Sequence, residues 1–185
     1  MSVPEHHSLT KSRERITLLT LAGVQFTHVL DFMIIMPLGA QLMRVFDLTP
    51  GQFTVIVASY GCAAALSGLA GGFVLDRFDR KRSLLVLYTG FGLATLACGL
   101  APTHHGLIAA RIAAGAFGGL SGSMVSAMVG DIIPPARRGQ AMSVVMGAFP
   151  IASVLGIPAG LWPGISFFGG AFWFHSISFI LSWIL

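Results

Sequence analysis

Six stretches of about twenty or more residues run through this sequence with almost no charge in them, and only short polar segments separate them. A helix needs about 20 apolar residues to cross the ~30 Å hydrocarbon core of a bilayer. The runs cover about 16–43, 52–75, 83–101, 107–133, 141–162 and 165–185, and residues 1–15 form a polar N-terminal tail. They are continuously apolar, whereas the strands of a membrane barrel alternate, so helices are expected. Charged residues make up 10% of the chain and the mean hydropathy is +0.82. Soluble domains carry ~25% charged residues, so a soluble enzyme, a disordered tail and a disulfide-rich secreted domain are all excluded. The fold expected is an all-α membrane protein of six transmembrane helices with no separate soluble domain. The first run is too long for the apolar core of a signal peptide and no small-residue cleavage site follows it, so it reads as a permanent span. Pro37 predicts a kink near its far end.

The charges fall in the loops, and unevenly. Lys11, Arg13 and Arg15 lie in the tail; Arg77, Arg80, Lys81 and Arg82 lie between spans 2 and 3; Arg137 and Arg138 lie between spans 4 and 5. That places nine of the eleven Lys and Arg residues on one side of the membrane, with only Arg44 opposite and Arg111 inside span 4. The asymmetry predicts a cytoplasmic N-terminus. It also explains the net charge of +4 as topology and not as affinity for nucleic acid. His104 and His105 fall in an outer loop and read as solvated. Cys62 and Cys98 sit in apolar runs without metal-ligand spacing and read as small packing residues. Gly68 and Gly72, Gly115 and Gly119, Gly118 and Gly122, and Gly156 and Gly160 recur at helical spacing, which predicts close helix contacts.

Asp31 is the acid well inside an apolar run, near the middle of span 1. His28 precedes it by three positions and shares its helix face. An ionisable group at that depth costs ~2.5–3.5 kcal/mol on insertion scales, so a functional role is the default, with Arg111 as the natural counter-charge. A static buried ion pair fixing spans 1 and 4 is the competing reading.

The stretch Gly72-Phe-Val-Leu-Asp76-Arg77-Phe-Asp79-Arg80-Lys81-Arg82 resembles the signature loop of the major facilitator superfamily, G-x-L-a-D-r-x-G-r-k. Gly72, Asp76, Arg77, Arg80 and Lys81 match in register, while Asp79 stands where the family has a glycine. Leu107-x-x-x-Arg111-x-x-x-Gly115 is similar to the family's fourth-helix pattern, with Ala114 in place of a frequent Gln. Asp131-Ile-Ile-Pro134-x-x-x-Arg138-Gly139-Gln-Ala141 is similar to its junction between the fourth and fifth helices.

The resemblance implies half of a twelve-helix fold, built as two inverted three-helix repeats. It implies a secondary active transporter and not an enzyme: a proton-coupled exporter of small organic molecules working by alternating access in a bacterial inner membrane. Asp31, His28 and Arg111 would then line the proton and substrate path. Asp76, Arg80 and Asp131, with Gly72, Arg77, Lys81 and Arg138, would form a cytoplasmic gate that breaks as two halves rock. The partners implied are the lipid bilayer, a small-molecule substrate with protons, and either a missing C-terminal half or a second copy of the chain. No cofactor, metal or nucleic acid is implied. The fifth helix of the family's drug:proton antiporters carries G-x-x-x-G-P-x-x-G-G. The corresponding stretch here, Gly156-Ile157-Pro158-Ala159-Gly160, departs from it and looks more like sugar-efflux and related exporter branches.

Two rival readings follow from other features. Gly119-Leu120-Ser121-Gly122 fits the G-x-S-G of rhomboid proteases, and His175 on span 6 would be the base of a Ser121–His175 dyad. The chain also ends in apolar sequence at Leu185, which fits a truncated, non-transporting product or a half-transporter that dimerises.

Overall fold

The computed structural model describes residues 11–75 and 78–156. The described residues are helical throughout, joined by short turns, and none of them forms a strand. The helices are α1 (Lys11–Ile34), α2 (Gly39–Val45), α3 (Pro50–Val74), α4 (Arg80–Leu100), α5 (His104–Ile132), α6 (Arg138–Met146) and α7 (Ala148–Ile151). A 3₁₀ turn, Pro135–Arg137, precedes α6, and a π turn, Ala152–Gly156, follows α7. Among the described residues, four helices are long and apolar enough to cross a membrane: Arg13–Ile34, Pro50–Phe73, Arg80–Leu100 and His104–Ile132. The shortest of these has 21 residues, which at 1.5 Å per residue gives roughly 32 Å, enough for a bilayer core. Span 6, with His175, and the end of span 5, with Pro158 and Gly160, lie outside the described residues, as do Asp76 and Arg77 of the loop.

The helix ends differ from the sequence expectation in places where capping decides them. Span 1 is not one kinked helix: it stops at Ile34, turns through residues 35–38 and resumes as α2. Pro37 has no N–H to continue the ladder, and the turn is closed instead by Met36 N–H to the Met33 carbonyl and Gly39 N–H to the Met36 carbonyl, at 3.2 and 3.0 Å. α1 also begins inside the tail, at Lys11. α5 begins at His104, because the Thr103 hydroxyl accepts from Gly106 N–H at 3.2 Å and so caps it. α3 opens on a capping box between Thr49 and Gln52 with Pro50 in its first turn, an arrangement in which proline loses nothing.

Asp79, the departure from the family loop, has a local role. It is the N-cap of α4, with φ −60°, and its carboxylate accepts from Arg82 N–H at 2.8 Å. A backbone of negative φ needs no glycine, so the aspartate exchanges turn freedom for a cap. Asp79→Ala is expected to cost about 0.5–2 kcal/mol in equilibrium unfolding from mixed micelles.

α5 is the centre of the bundle, with α3 and α4 packed along it and α1 closing against α6 and α7. At one end, Leu21, Val24, Leu84, Leu87, Met124 and Val129 form the core; at the α2 end it is formed by Ile35, Leu48, Ile56, Cys98, Leu107 and Ala110. The lipid-exposed type of surface is plain on α3, where Val55, Leu66, Leu69 and Phe73 are all exposed. Such apolar exposure is expected where lipid tails and not water are the solvent.

Helix approach is closest where α3 meets α5. A Cβ added at Gly115 would collide with the Tyr60 carbonyl oxygen, and one added at Gly119 with the Ala64 carbonyl oxygen and the Ser67 hydroxyl. Close backbone approach of this kind is how helices associate without a hydrophobic drive between them.

Candidate functional site

Asp31 lies in the last turn of α1, just before the break at Pro37. The carbonyls of a last helical turn have no partner within the helix. Arg111, seven residues into α5, fills that vacancy while neutralising the side chain. Its Nη1 donates to the Asp31 carboxylate Oδ2 at 2.9 Å and to the Asp31 carbonyl at 3.2 Å. The other carboxylate oxygen, Oδ1, accepts from the Thr95 hydroxyl of α4 at 3.2 Å. Three helices therefore converge on one carboxylate.

The pair is deeply buried, with side-chain exposures of 3% for Arg111 and 8% for Asp31. Charges at such depth are retained only when paired and hydrogen-bonded. Tyr60 of α3 supplies a further contact: its ring lies under the guanidinium, with Cζ 4.4 Å from the centroid. A desolvated cation over an aromatic face gains ~2 kcal/mol. Nε and Nη2 of Arg111 have no hydrogen-bond partner among the described residues, and each unpaired buried donor costs ~1–3 kcal/mol.

His28 sits one turn before Asp31 and is also buried. Its ring meets Phe91 edge-on at 4.3 Å and Tyr88 at 5.9 Å. Around it the hydroxyls are tied: Tyr60 Oη donates to the His28 carbonyl at 3.5 Å, and Thr27 Oγ1 and Tyr88 Oη share a hydrogen bond at 3.1 Å. Thr27, His28 and Asp31 thus place buried polar groups on two successive turns of α1.

On the α2 side of the ion pair lies a cavity of about 280 Å³, lined by Asp31, Arg111, Cys98, Ile35, Leu42 and Phe46 among others. Cys98, read from the sequence as a packing residue, is buried and borders this space, whereas Cys62 is exposed on α3.

At the opposite end, Arg80 Nε pairs with Asp131 Oδ2 at 2.9 Å, joining the start of α4 to the end of α5. The two side chains are 30% and 55% exposed, so the pair contributes only ~0–1 kcal/mol. Lys81 is exposed, as is Gly72, where an added Cβ would meet nothing within 4 Å. Arg138 has another partner: its Nε donates to the Ile133 carbonyl at 3.0 Å and closes the end of α5. A second tie was not foreseen. Arg137 holds Glu14 of α1 through two nitrogens, at 2.6 and 3.4 Å.

Ser121 does not resemble an exposed nucleophile. It is fully buried in α5, and its Oγ has no hydrogen-bond partner among the described residues.

A sequence model of the Major Facilitator Superfamily matches residues 21–185. The chain belongs to this superfamily. It is 30% identical over 155 residues to the vacuolar membrane amino acid uptake transporter fnx2 of Schizosaccharomyces pombe, covering 76% of this chain and 26% of that protein. It is 27% identical over 167 residues to the multidrug export protein EmrB of Haemophilus influenzae, covering 90% of this chain and 33% of the relative. In fold it matches the crystal structure of a bacterial homologue of the human lysosomal transporter Spinster, in its inward-facing and occupied conformation. That match has a TM-score of 0.78 at 16% identity and covers 95% of this chain and 44% of the other. The superfamily chain described here therefore spans from about a quarter to under half the length of these proteins. Its membership in a family of transporters makes it an integral membrane protein, and the all-α fold read from the sequence stands.

Two contributors to the site carried no distinct sequence signal. Thr95 and Tyr60 are ordinary residues of apolar runs, brought to Asp31 and Arg111 by packing alone. Glu14, which holds Arg137 at the opposite end, lay in a stretch read only as a polar tail.

Proposed function

We propose that the chain forms one half of a secondary active transporter, which exports small organic molecules in exchange for protons by alternating access. The observation that carries this reading is the buried Asp31–Arg111 pair, an ionisable couple within membrane depth bordering a cavity. Such groups are costly in lipid and mark ion or substrate pathways. Asp31 is the proton acceptor, Arg111 sets its charge balance, and His28 lies on the same path. Export in place of uptake rests on the likeness to exporter branches and to the export protein above, against one relative named for uptake.

The Arg80–Asp131 pair, joined by Asp76, Arg77, Lys81 and Gly72, serves as the gate. A weak exposed pair suits a latch that opens in every cycle. Nine of the eleven basic residues on the gate side support a cytoplasmic N-terminus in a bacterial inner membrane. The second half is supplied by further helices of a longer chain or by a second copy, since the substrate cavity of such transporters lies between two repeats.

The test uses everted vesicles carrying the chain, energised to an acid interior and followed with a ΔpH-sensitive dye. Adding an exported compound from a panel of cations, neutral sugars and organic acids is expected to dissipate the gradient. Asp76→Asn is expected to reach the membrane at normal level and to abolish that response. An undiminished response in the variant, or none to any compound in a parent that crosslinks as a homodimer, sinks the reading. Crosslinking in the same vesicles separates a homodimer from a half that needs a different partner.

A further inference from the structure

Five threonines of the described helices, Thr17, Thr20, Thr27, Thr54 and Thr89, donate their hydroxyls to a carbonyl of their own preceding turn at 2.8–3.0 Å. A threonine within a helix commonly does this, because its Oγ1 can lie beside the carbonyls three and four positions back. Thr95, well inside α4, differs. Its hydroxyl crosses to α1 and donates to Asp31 Oδ1 at 3.2 Å, and both residues are buried. The two carboxylate oxygens of Asp31 therefore have unlike neighbours. Oδ2 faces Arg111 Nη1 at 2.9 Å, a guanidinium that donates and never accepts. Oδ1 faces a hydroxyl, which can do either. The other titratable groups around Asp31 are His28 one turn back on α1, Tyr60 of α3 beneath the guanidinium, and Cys98 of α4 on the adjoining cavity.

We propose that Thr95 is the positioning residue for the proton carried by Asp31: it donates to Oδ1 in the ionised state and accepts from Oδ1–H in the protonated one. An incoming proton forms an O–H bond on Oδ1, and that hydrogen points to Thr95 Oγ1. The hydroxyl hydrogen of Thr95 turns back to the carbonyl of Phe91, four positions earlier on α4. Thr17, Thr20, Thr54 and Thr89 use the equivalent acceptor. No bond of the threonine breaks; only hydrogen bonds are exchanged. A proton on Oδ2 would instead set an O–H against the Arg111 N–H and break that contact. The reversible hydroxyl thus lets a buried carboxyl change charge without leaving a donor or acceptor unpaired. The assignment rests on the reading of Asp31 as proton acceptor for its use in transport; the reversal itself is measured on stability, without transport.

Asp31→Asn is a neutral stand-in for the protonated acid: the amide oxygen serves Arg111, and the amide N–H takes the place of Oδ1–H. Thr95→Val removes the hydroxyl at nearly constant shape, and Thr95→Ser keeps it. Equilibrium unfolding of the full chain is followed in mixed micelles at mildly alkaline pH. Thr95→Val is expected to weaken the folding equilibrium about tenfold or more against ionised Asp31, and about fivefold in the Asp31→Asn background. Thr95→Ser is expected to recover most of the loss in both. A hydroxyl that only donates would oppose the amide N–H, and Thr95→Val would then be neutral or stabilising in the second background. That result, or no recovery with Thr95→Ser, overturns the proposal.

An infrared pH titration in vesicles supplies the second readout. The protonated carboxyl band of Asp31 is assigned by its absence from the Asp31→Leu, Arg111→Met double variant. Donation to the ionised form stabilises the fold above the midpoint of that band, and acceptance from the protonated form stabilises it below. Thr95→Val is therefore expected to cost stability on both sides. A cost confined to the alkaline side overturns the proposal and leaves Asp31 as proton acceptor; it decides alone should Asp31→Asn fail to accumulate. Costs in both backgrounds with no protonated Asp31 band in the folded parent keep the hydroxyl reversal and sink Asp31 as proton acceptor. No band together with an Asp31→Asn chain that does not accumulate means a pair that never gives up its charge, which overturns both.

Discussion

Replacing Asp31 by alanine is expected to destabilise the bundle by about 3–5 kcal/mol, because it leaves the Arg111 guanidinium buried without a counter-charge. The exposure of the Arg111 side chain is 3%, so the orphaned cation cannot regain water without opening the helix packing. The carbonyl of residue 31 would still accept from Nη1, which recovers part of one hydrogen bond and none of the charge pairing. Removing both charges together, as Asp31→Leu with Arg111→Met, is expected to restore most of the loss. A buried ion pair replaced by apolar groups of similar size is often neutral or stabilising, since neither member must then be desolvated. Equilibrium unfolding in mixed micelles gives the cycle, and transport in vesicles gives the second axis. The double variant is expected to fold and not to transport. If it folds and transports at the parental rate, the pair is a static brace and the path assigned to it is wrong. If each single change costs under ~1 kcal/mol, the guanidinium is hydrated and the buried geometry is wrong.

The pair itself was conspicuous in the sequence because a charge within an apolar run has few explanations. Asp31 and Arg111 each interrupted such a run, and the family pattern around Arg111 added a second reason to notice it. The all-α class and the superfamily were legible for the same kind of reason: run length in one case, register of the loop from Gly72 to Lys81 in the other. The third-party contacts of the site were not legible. Thr95 and Tyr60 lie 64 residues beyond and 29 residues beyond Asp31, and no spacing rule links residues on different helices. Their roles follow from which faces α3 and α4 turn toward α5. The same limit applies to Glu14 and Arg137, 123 positions apart. Local chemistry, in contrast, was present and went unread. Asp79 before Arg82 is an N-cap signal, Thr49 before Gln52 is a capping box, and Pro37 marks a full break where only a kink was expected. That break matters for the site, since it puts the Asp31 carbonyl in a last turn where Arg111 can reach it.

Gly119→Ala is expected to be among the most damaging single-methyl additions in the chain, costing about 3 kcal/mol or more, at or beyond the upper end of ordinary overpacking. The new Cβ would overlap the Ala64 carbonyl oxygen and the Ser67 hydroxyl. Ser67 can rotate away, but a carbonyl held in the α3 ladder moves only with its helix. α3 must therefore shift bodily, and Tyr60 shifts with it. Gly115→Ala acts in the same way, against the Tyr60 carbonyl itself. Tyr60 lies beneath Arg111, so displacement of α3 is expected to reach the ion pair as well as the packing. Gly122→Ala supplies the control on the same helix, because an added Cβ there meets nothing within 4 Å. It is expected to be neutral or slightly stabilising, given that alanine is the better helix former by ~1 kcal/mol. Unfolding midpoints of the three variants in mixed micelles decide the matter. Equal effects at 119 and 122 would mean that α3 and α5 do not approach closely in the membrane. A large loss at 115 and 119 with none at 122 ties the interface to the register in which Tyr60 meets Arg111.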